Sequence, residues 1–150
     1  MELHTNRLKL LPCTIETVAA FSDSDYTFGP HIESYIEELS TQPDKLGWGV
    51  WLVIDKTAGK VIGDMGFKGK PDKAGKVEMG YGIISSEQNK GYATEAIHCL
   101  LEWAFNSGQV GAVTAECHED NAPSIRVLNK VGMEVIQHKE DMIYWLIKKV

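Results

Sequence analysis

Alternation at Arg7-Leu8-Lys9-Leu10 predicts a short strand closed by Pro12, and Thr14 is placed to cap a short helix through Phe21. After Pro30, the apolar residues Ile32, Tyr35, Ile36 and Leu39 recur at i, i+3, i+4 and i+7, which predicts an amphipathic helix with Pro at its start. Trp48 to Asp55 and Lys60 to Lys68 read as strands joined by a turn at Lys56-Thr57-Ala58-Gly59. A third strand runs from about Lys76 to Ile84. Val77, Met79, Tyr81 and Ile83 share one of its faces, and Glu78, Gly80 and Gly82 share the other. Ala93, Ala96, Ile97, Leu100, Leu101, Ala104 and Phe105 form the clearest helical stripe, stopped at Gly108. Ala112 to Cys117 is a short strand. Asn121 caps a helix with Pro123 in its first turn and Gly132 at its end, and Met133 to Gln137 with Met142 to Ile147 closes the chain as a hairpin. The order βααβββαβαββ predicts an α/β or α+β sheet flanked by helices.

The chain has 150 residues, enough for one domain (1–150) with a sizeable core and too few for a second. At 43% hydrophobic and 24% charged residues, it has the composition of a folded globular protein and not of a disordered one. The formal charge of -6 argues against a general nucleic-acid binder or a protein held on anionic membrane by charge. The longest apolar runs, Val50 to Ile54 and Met142 to Ile147, are strand-sized, and no signal-peptide pattern opens the chain. The cytoplasm is the expected compartment. Cys13, Cys99 and Cys117 are odd in number and widely spaced, which suits reduced, inert thiols there.

Several motifs fail. Tyr81 stands where a Walker A loop needs Lys, and Ser85 stands where a dinucleotide fingerprint needs its third Gly. There is no HExxH or GxSxG pattern, and the five histidines do not cluster at metal spacing, so no metal cofactor is expected. One segment carries chemistry: Gln88-Asn89-Lys90-Gly91-Tyr92-Ala93-Thr94-Glu95-Ala96, between a strand and the clearest helix. Small residues at 91 and 93 allow close backbone approach. The helix start offers free N–H groups and a positive dipole end, and Lys90 adds charge. These features make a phosphate pocket, or equally a tight strand-to-helix turn.

Gln88-x-x-Gly91-x-Ala93 resembles the Q/R-x-x-G-x-G/A signature of the GNAT superfamily of acetyl-CoA-dependent N-acetyltransferases. Gly80-Tyr81 followed by Asn89 to Ala96 resembles its ribosomal-protein-alanine N-acetyltransferase branch. So do Asn6-Arg7-Leu8-Lys9-Leu10 and Asn121-x-x-Ser124-x-Arg126-Val127-Leu128-x-Lys130-x-Gly132-Met133. The resemblance implies a GNAT-like mixed, mostly antiparallel sheet with a splayed parallel strand pair that admits acetyl-CoA. Tyr81, Gly82 and Ile83 would then offer main-chain hydrogen bonds to the pantetheine arm. Gln88, Asn89, Lys90, Gly91, Tyr92, Ala93 and Thr94 would cradle the pyrophosphate, and Asn121 would be a further cofactor contact.

The resemblance also implies direct attack of a primary amine on the thioester. Glu78 is the candidate base or water-organiser, or else a solvent-facing carboxylate paired with a lysine. Many relatives place a Tyr seven residues after the Asn, where this chain has Leu128. Ser124 is the branch's substitute donor to the departing thiolate, or else a helix-start residue. Glu95 favours its helix dipole. Tyr26, Phe28 and His31 lie where relatives gather acceptor contacts. The acceptor would be a protein N-terminus or a small amine. A non-catalytic acetyl-CoA sensor or partner domain is the alternative, and a homodimer is compatible with either.

Overall fold

The computed structural model describes residues 1–150. In chain order the elements are β1 (Leu3–His4), β2 (Leu8–Pro12), α1 (Ile15–Ala20), α2 (Pro30–Thr41), β3 (Val50–Asp55), β4 (Lys60–Phe67) and β5 (Lys76–Ile83). They continue with α3 (Tyr92–Asn106), β6 (Ala112–His118), α4 (Ala122–Lys130), β7 (Glu134–Lys139) and β8 (Met142–Lys148). The strands form one sheet in the order β1-β2-β3-β4-β5-β6-β8-β7. Every neighbouring pair is antiparallel except β5 with β6. This is the mixed α/β architecture expected: a mostly antiparallel sheet with one parallel pair, flanked by helices.

Local sequence explains most boundaries. Thr14 caps α1 in a reciprocal box with Thr17: each side chain accepts from the other's backbone N–H. Pro30 occupies the first turn of α2. Pro12 closes β2 as expected, paired with Trp51, because a strand's end tolerates the missing N–H. Three features differ from expectation. The two-residue β1 is too short to show a period. The closing hairpin begins at Glu134 and not Met133, and short 3-10 turns at Pro43–Lys45 and Ser85–Glu87 carry no periodic signal.

The sheet is covered on both faces. Toward α3 and α4 it buries Leu8, Leu10, Met65, Val77 and Met79 against Ile97, Leu100 and Leu128. Toward α1 and α2 it buries Cys13, Leu52, Ile54 and Val61 against Ile32 and Tyr35. Trp48 and Trp103 meet at 4.8 Å between ring centroids and Trp51 and Trp103 at 5.2 Å, so these indoles are core.

The parallel junction is short. Lys76, Val77 and Glu78 pair with Ala112, Val113 and Thr114, and pairing stops there. β5 continues to Ile83 on β4, while β6 continues to His118 on β8. The two strands therefore part, and β5 turns an unpaired edge toward the opening from Met79 onward.

Candidate functional site

On the α3 and α4 side, the opening becomes a cleft of about 380 Å³. Tyr81, Gly82, Ile83, Gln88, Asn89, Gly91, Tyr92, Ala93, Thr94, Asn121 and Ser124 all line it. Lys90 does not, and its ammonium is paired at 3.0 Å with Glu87, which does line it. Arg126 and Lys130 line the cleft one helical turn apart on α4, and sequence reasoning did not single them out as site residues. Their i, i+4 spacing beside Ser124 was the available signal.

Each part of the cleft has a local cause. Gln88 Nε2 donates to the Ile83 carbonyl at 2.8 Å, so this side chain ties the turn to the end of β5. Asn89 and Gly91 both take positive φ, 63° and 83°. Gly91 is the N-cap of α3, and no side chain caps that end, so the first N–H groups of the helix stay open toward the cleft. The left-handed backbone at Gly91 favours glycine whatever binds nearby.

Asn121 Oδ1 accepts from the Ser124 backbone N–H at 3.2 Å, the helix-cap role expected of it. Leu128 is fully buried in the core, so no donor of any kind stands at its position. The Tyr81 hydroxyl is buried without a hydrogen-bond partner. Burial pushes its phenol up, the neighbouring Ser124 hydroxyl opposes that shift, and Cys117 adds to it. The two hydroxyls are neighbours, but their geometry falls outside that of a hydrogen bond.

Across the sheet, a cavity of about 820 Å³ lies between α2 and β4–β5, and another of about 850 Å³ lies beneath the α1–α2 loop. Gly82 lines both of these and the cleft, so all three meet at one residue of β5. A Cβ added at Gly82 would meet nothing within 4 Å, and its φ is not positive. Neither packing nor backbone conformation therefore requires glycine there.

Glu78 lines none of these three spaces. Its carboxylate is paired with Lys68 at 2.6 Å. Sequence reasoning missed Asp64, which lies in β4 opposite Gly82. It accepts hydrogen bonds from the Tyr26 hydroxyl and, at 2.9 Å, meets His31 Nε2. A lone carboxylate inside the apolar run Val61-Ile62-Gly63-Asp64-Met65 was the available signal. Tyr26 and His31 thus converge on Asp64, whereas Phe28 packs edge-on against Tyr26 at 5.5 Å.

Glu95 is a structural staple. It accepts from the Arg7 backbone N–H at 3.0 Å, from Arg7 Nε at 2.7 Å and from the Thr5 hydroxyl. Burial pushes its carboxyl up, but the bonds from Thr5 and Arg7 outweigh it and hold the pKa below the usual value. Arg7 also stacks over Tyr92 at 4.3 Å and donates to the Lys90 carbonyl at 2.9 Å, which locks the turn before α3.

The family description "Acetyltransferase (GNAT) domain" matches residues 7–134. The chain belongs to the GNAT acetyltransferase family. It is 30% identical to the "Uncharacterized N-acetyltransferase YjdG" of Bacillus subtilis (strain 168), over 96% of each chain. The fold is shared with a GNAT-family acetyltransferase from Bacillus anthracis (TM-score 0.74, 24% identity, 99% and 98% of the two chains). It is also shared with RimL, a ribosomal L7/L12 alpha-N-protein acetyltransferase in complex with coenzyme A (TM-score 0.79, 13% identity, 99% and 98%). This GNAT protein is accordingly an acyl-CoA-dependent acyltransferase. Its own residues fit acetyl-CoA: an unpaired strand edge, an uncapped helix start, two cations on α4 and an orphaned hydroxyl surround one cleft. No helix is long and apolar enough to cross a membrane, and no group of three or more His, Cys, Asp or Glu could hold a metal ion.

Proposed function

We propose that this GNAT domain moves an acetyl group from acetyl-CoA to a primary amine, a protein N-terminus or a small amine, in the manner of the ribosomal-protein-alanine branch. The meeting of three cavities at Gly82 carries this reading: a donor in the cleft and an acceptor from the α2 side reach the same backbone without either passing through the other. That second approach favours turnover over a sensor that only holds acetyl-CoA. When bound, acetyl-CoA supplies the thioester carbon that is attacked.

The chain's residues do the rest. The open edge of β5 from Tyr81 to Ile83 offers backbone groups to the pantetheine amides, which are costly to leave buried and unpaired. The uncapped start of α3, at Tyr92 to Thr94, and the backbone of Gln88 to Gly91 offer N–H groups to the pyrophosphate. Arg126 and Lys130 add charge that Lys90, held by Glu87, does not bring. Asn121 fixes the first turn of α4 and so aims Ser124 into the cleft, where its hydroxyl donates to the departing sulfur. Glu78, paired with Lys68, stands at the closed end of the splay.

Calorimetry with acetyl-CoA, followed by thiol release in the presence of an alanine-terminated peptide, spermidine or an aminoglycoside, tests this. Saturating acetyl-CoA at ~100 times its Kd should add about 2.7 kcal/mol of stability. Binding without turnover on any amine would favour the sensor, and no binding would remove both readings.

A further inference from the structure

Asp64 is out of place as a structural residue. It sits at the centre of an apolar strand with its side chain only 17% exposed, no lysine or arginine pairs with it, and the ring it meets is a histidine that is itself 55% exposed. Its Cα partner across the ladder is Gly82, the residue at which the cleft and both cavities meet. The two strands hold these Cα atoms roughly 5 Å apart. Asp64 lines the cavity on the α2 side and not the cleft, and Gly82 puts no side chain beside it.

Two elements hold it there. Tyr26, from the α1–α2 loop, donates to Oδ2, and His31, from the first turn of α2, meets Oδ1 at 2.9 Å. The His31 ring is seated against Gly29, where even a Cβ would come within 2.8 Å of Nδ1. A carboxylate has about four acceptor positions, so these partners leave capacity for a further donor. Glu78 lies four residues down β5 from Gly82, about 13 Å away, and is tied to Lys68 at 2.6 Å.

We infer that Asp64 is the catalytic residue that accepts the acceptor amine's proton, with Tyr26 and His31 as its positioning residues. This rests on the acetyl-transfer reading above. A neutral amine R–NH2 donates a hydrogen bond to Asp64 as its lone pair forms the C–N bond. The nitrogen becomes cationic and far more acidic as that bond forms, so even a carboxylate takes its proton. The C–S bond breaks with its electron pair on sulfur, which gains a proton from the Ser124 side or from solvent. Asp64 then releases its proton to water in the cavity. One amine and one thioester give one amide and one thiol.

The test uses Asp64→Asn, close in shape, and Asp64→Ala with added formate. Each is assayed by thiol release with the alanine-terminated peptide and spermidine, and by calorimetry with acetyl-CoA. Asp64→Asn should lower kcat/KM by about 100-fold, the usual scale for a lost base. Acetyl-CoA affinity should be unchanged, and formate should restore part of the activity of Asp64→Ala. His31→Phe should lower kcat more than it raises KM, and His31→Gln, which keeps an N–H donor, should recover part of that loss. Wild-type kcat/KM in folded Asp64→Asn overturns the assignment, as does a 100-fold loss in Glu78→Gln with none at Asp64. Failure of the wild-type protein to bind acetyl-CoA would instead remove the underlying acetyl-transfer reading, so the two failures are distinct.

Discussion

Replacing Tyr81 by Phe tests whether the splay stores an unmet hydrogen bond. The Tyr81 hydroxyl is buried and has no partner, although Ser124 stands beside it. A buried, unsatisfied hydroxyl costs about 1–3 kcal/mol relative to a state in which it is paired or solvated. Phe keeps the ring that packs against the core and removes only the oxygen. The free protein should therefore gain about 1 kcal/mol, the lower end of that range, since a slight rotation toward Ser124 recovers part of the cost. For a chain of this length that corresponds to a Tm higher by ~2–4 °C. Urea titration with and without acetyl-CoA is the assay. If the hydroxyl finds its partner when the cleft fills, acetyl-CoA affinity should fall about fivefold in the same mutant, equivalent to ~1 kcal/mol. The two effects have opposite signs, which a general packing defect cannot produce. A mutant that is less stable when free, with unchanged affinity, would show that the hydroxyl already has a partner and refute the reasoning.

Gly82→Ala should fold normally, because its φ is not positive and its Cβ would meet nothing within 4 Å, yet turnover should fall steeply as the methyl enters the space shared by donor and acceptor. Undiminished turnover would remove Gly82 from the site. Ser124→Ala should lower kcat about tenfold, or ~1.4 kcal/mol on the barrier, with acetyl-CoA affinity nearly intact. If only the stability of α4 changes, Ser124 is a helix-start residue. Glu95→Gln should destabilise at neutral pH. Because the folded carboxyl is held below its usual value, its contribution is full above the unfolded value of ~4.3 and is lost as pH falls through the lower folded value. The difference between mutant and wild type in denaturant titrations should thus be flat from pH 7 to about 5 and shrink below ~4. Cys13, whose thiol burial and then the Asp64 charge push up to about 12, should resist alkylation in the native protein and react on unfolding.

What the sequence by itself determined is whatever depends on neighbours along the chain. The period of Ala93 to Phe105 fixed α3, and the alternation of Val77 to Ile83 correctly separated the core-facing residues of β5 from Glu78, Gly80 and Gly82. The Thr14 and Asn121 caps are local hydrogen bonds, and so were readable. The signature from Gln88 to Thr94 was readable because a strand, a tight turn and a helix start must follow one another without insertion.

Only the tertiary structure decided which of those residues share a space. Glu78 has the chemistry of a base, but strand register sets it at the paired end of the splay beside Lys68. Lys90 has the charge for a phosphate, but that charge is paired with Glu87, and Arg126 and Lys130 line the cleft from α4. Gly91 reads as room for a ligand, yet its φ of 83° already demands glycine, so a valine there would strain the backbone whether or not phosphate binds. Asp64, Tyr26 and His31 lie up to 38 residues apart and carry no common motif. The α1–α2 loop, the first turn of α2 and β4 converge only once the sheet has a register and both its faces are covered. Side chains that meet through register and packing leave no periodic trace in the sequence, because periodicity records which way a residue points and not what it points at.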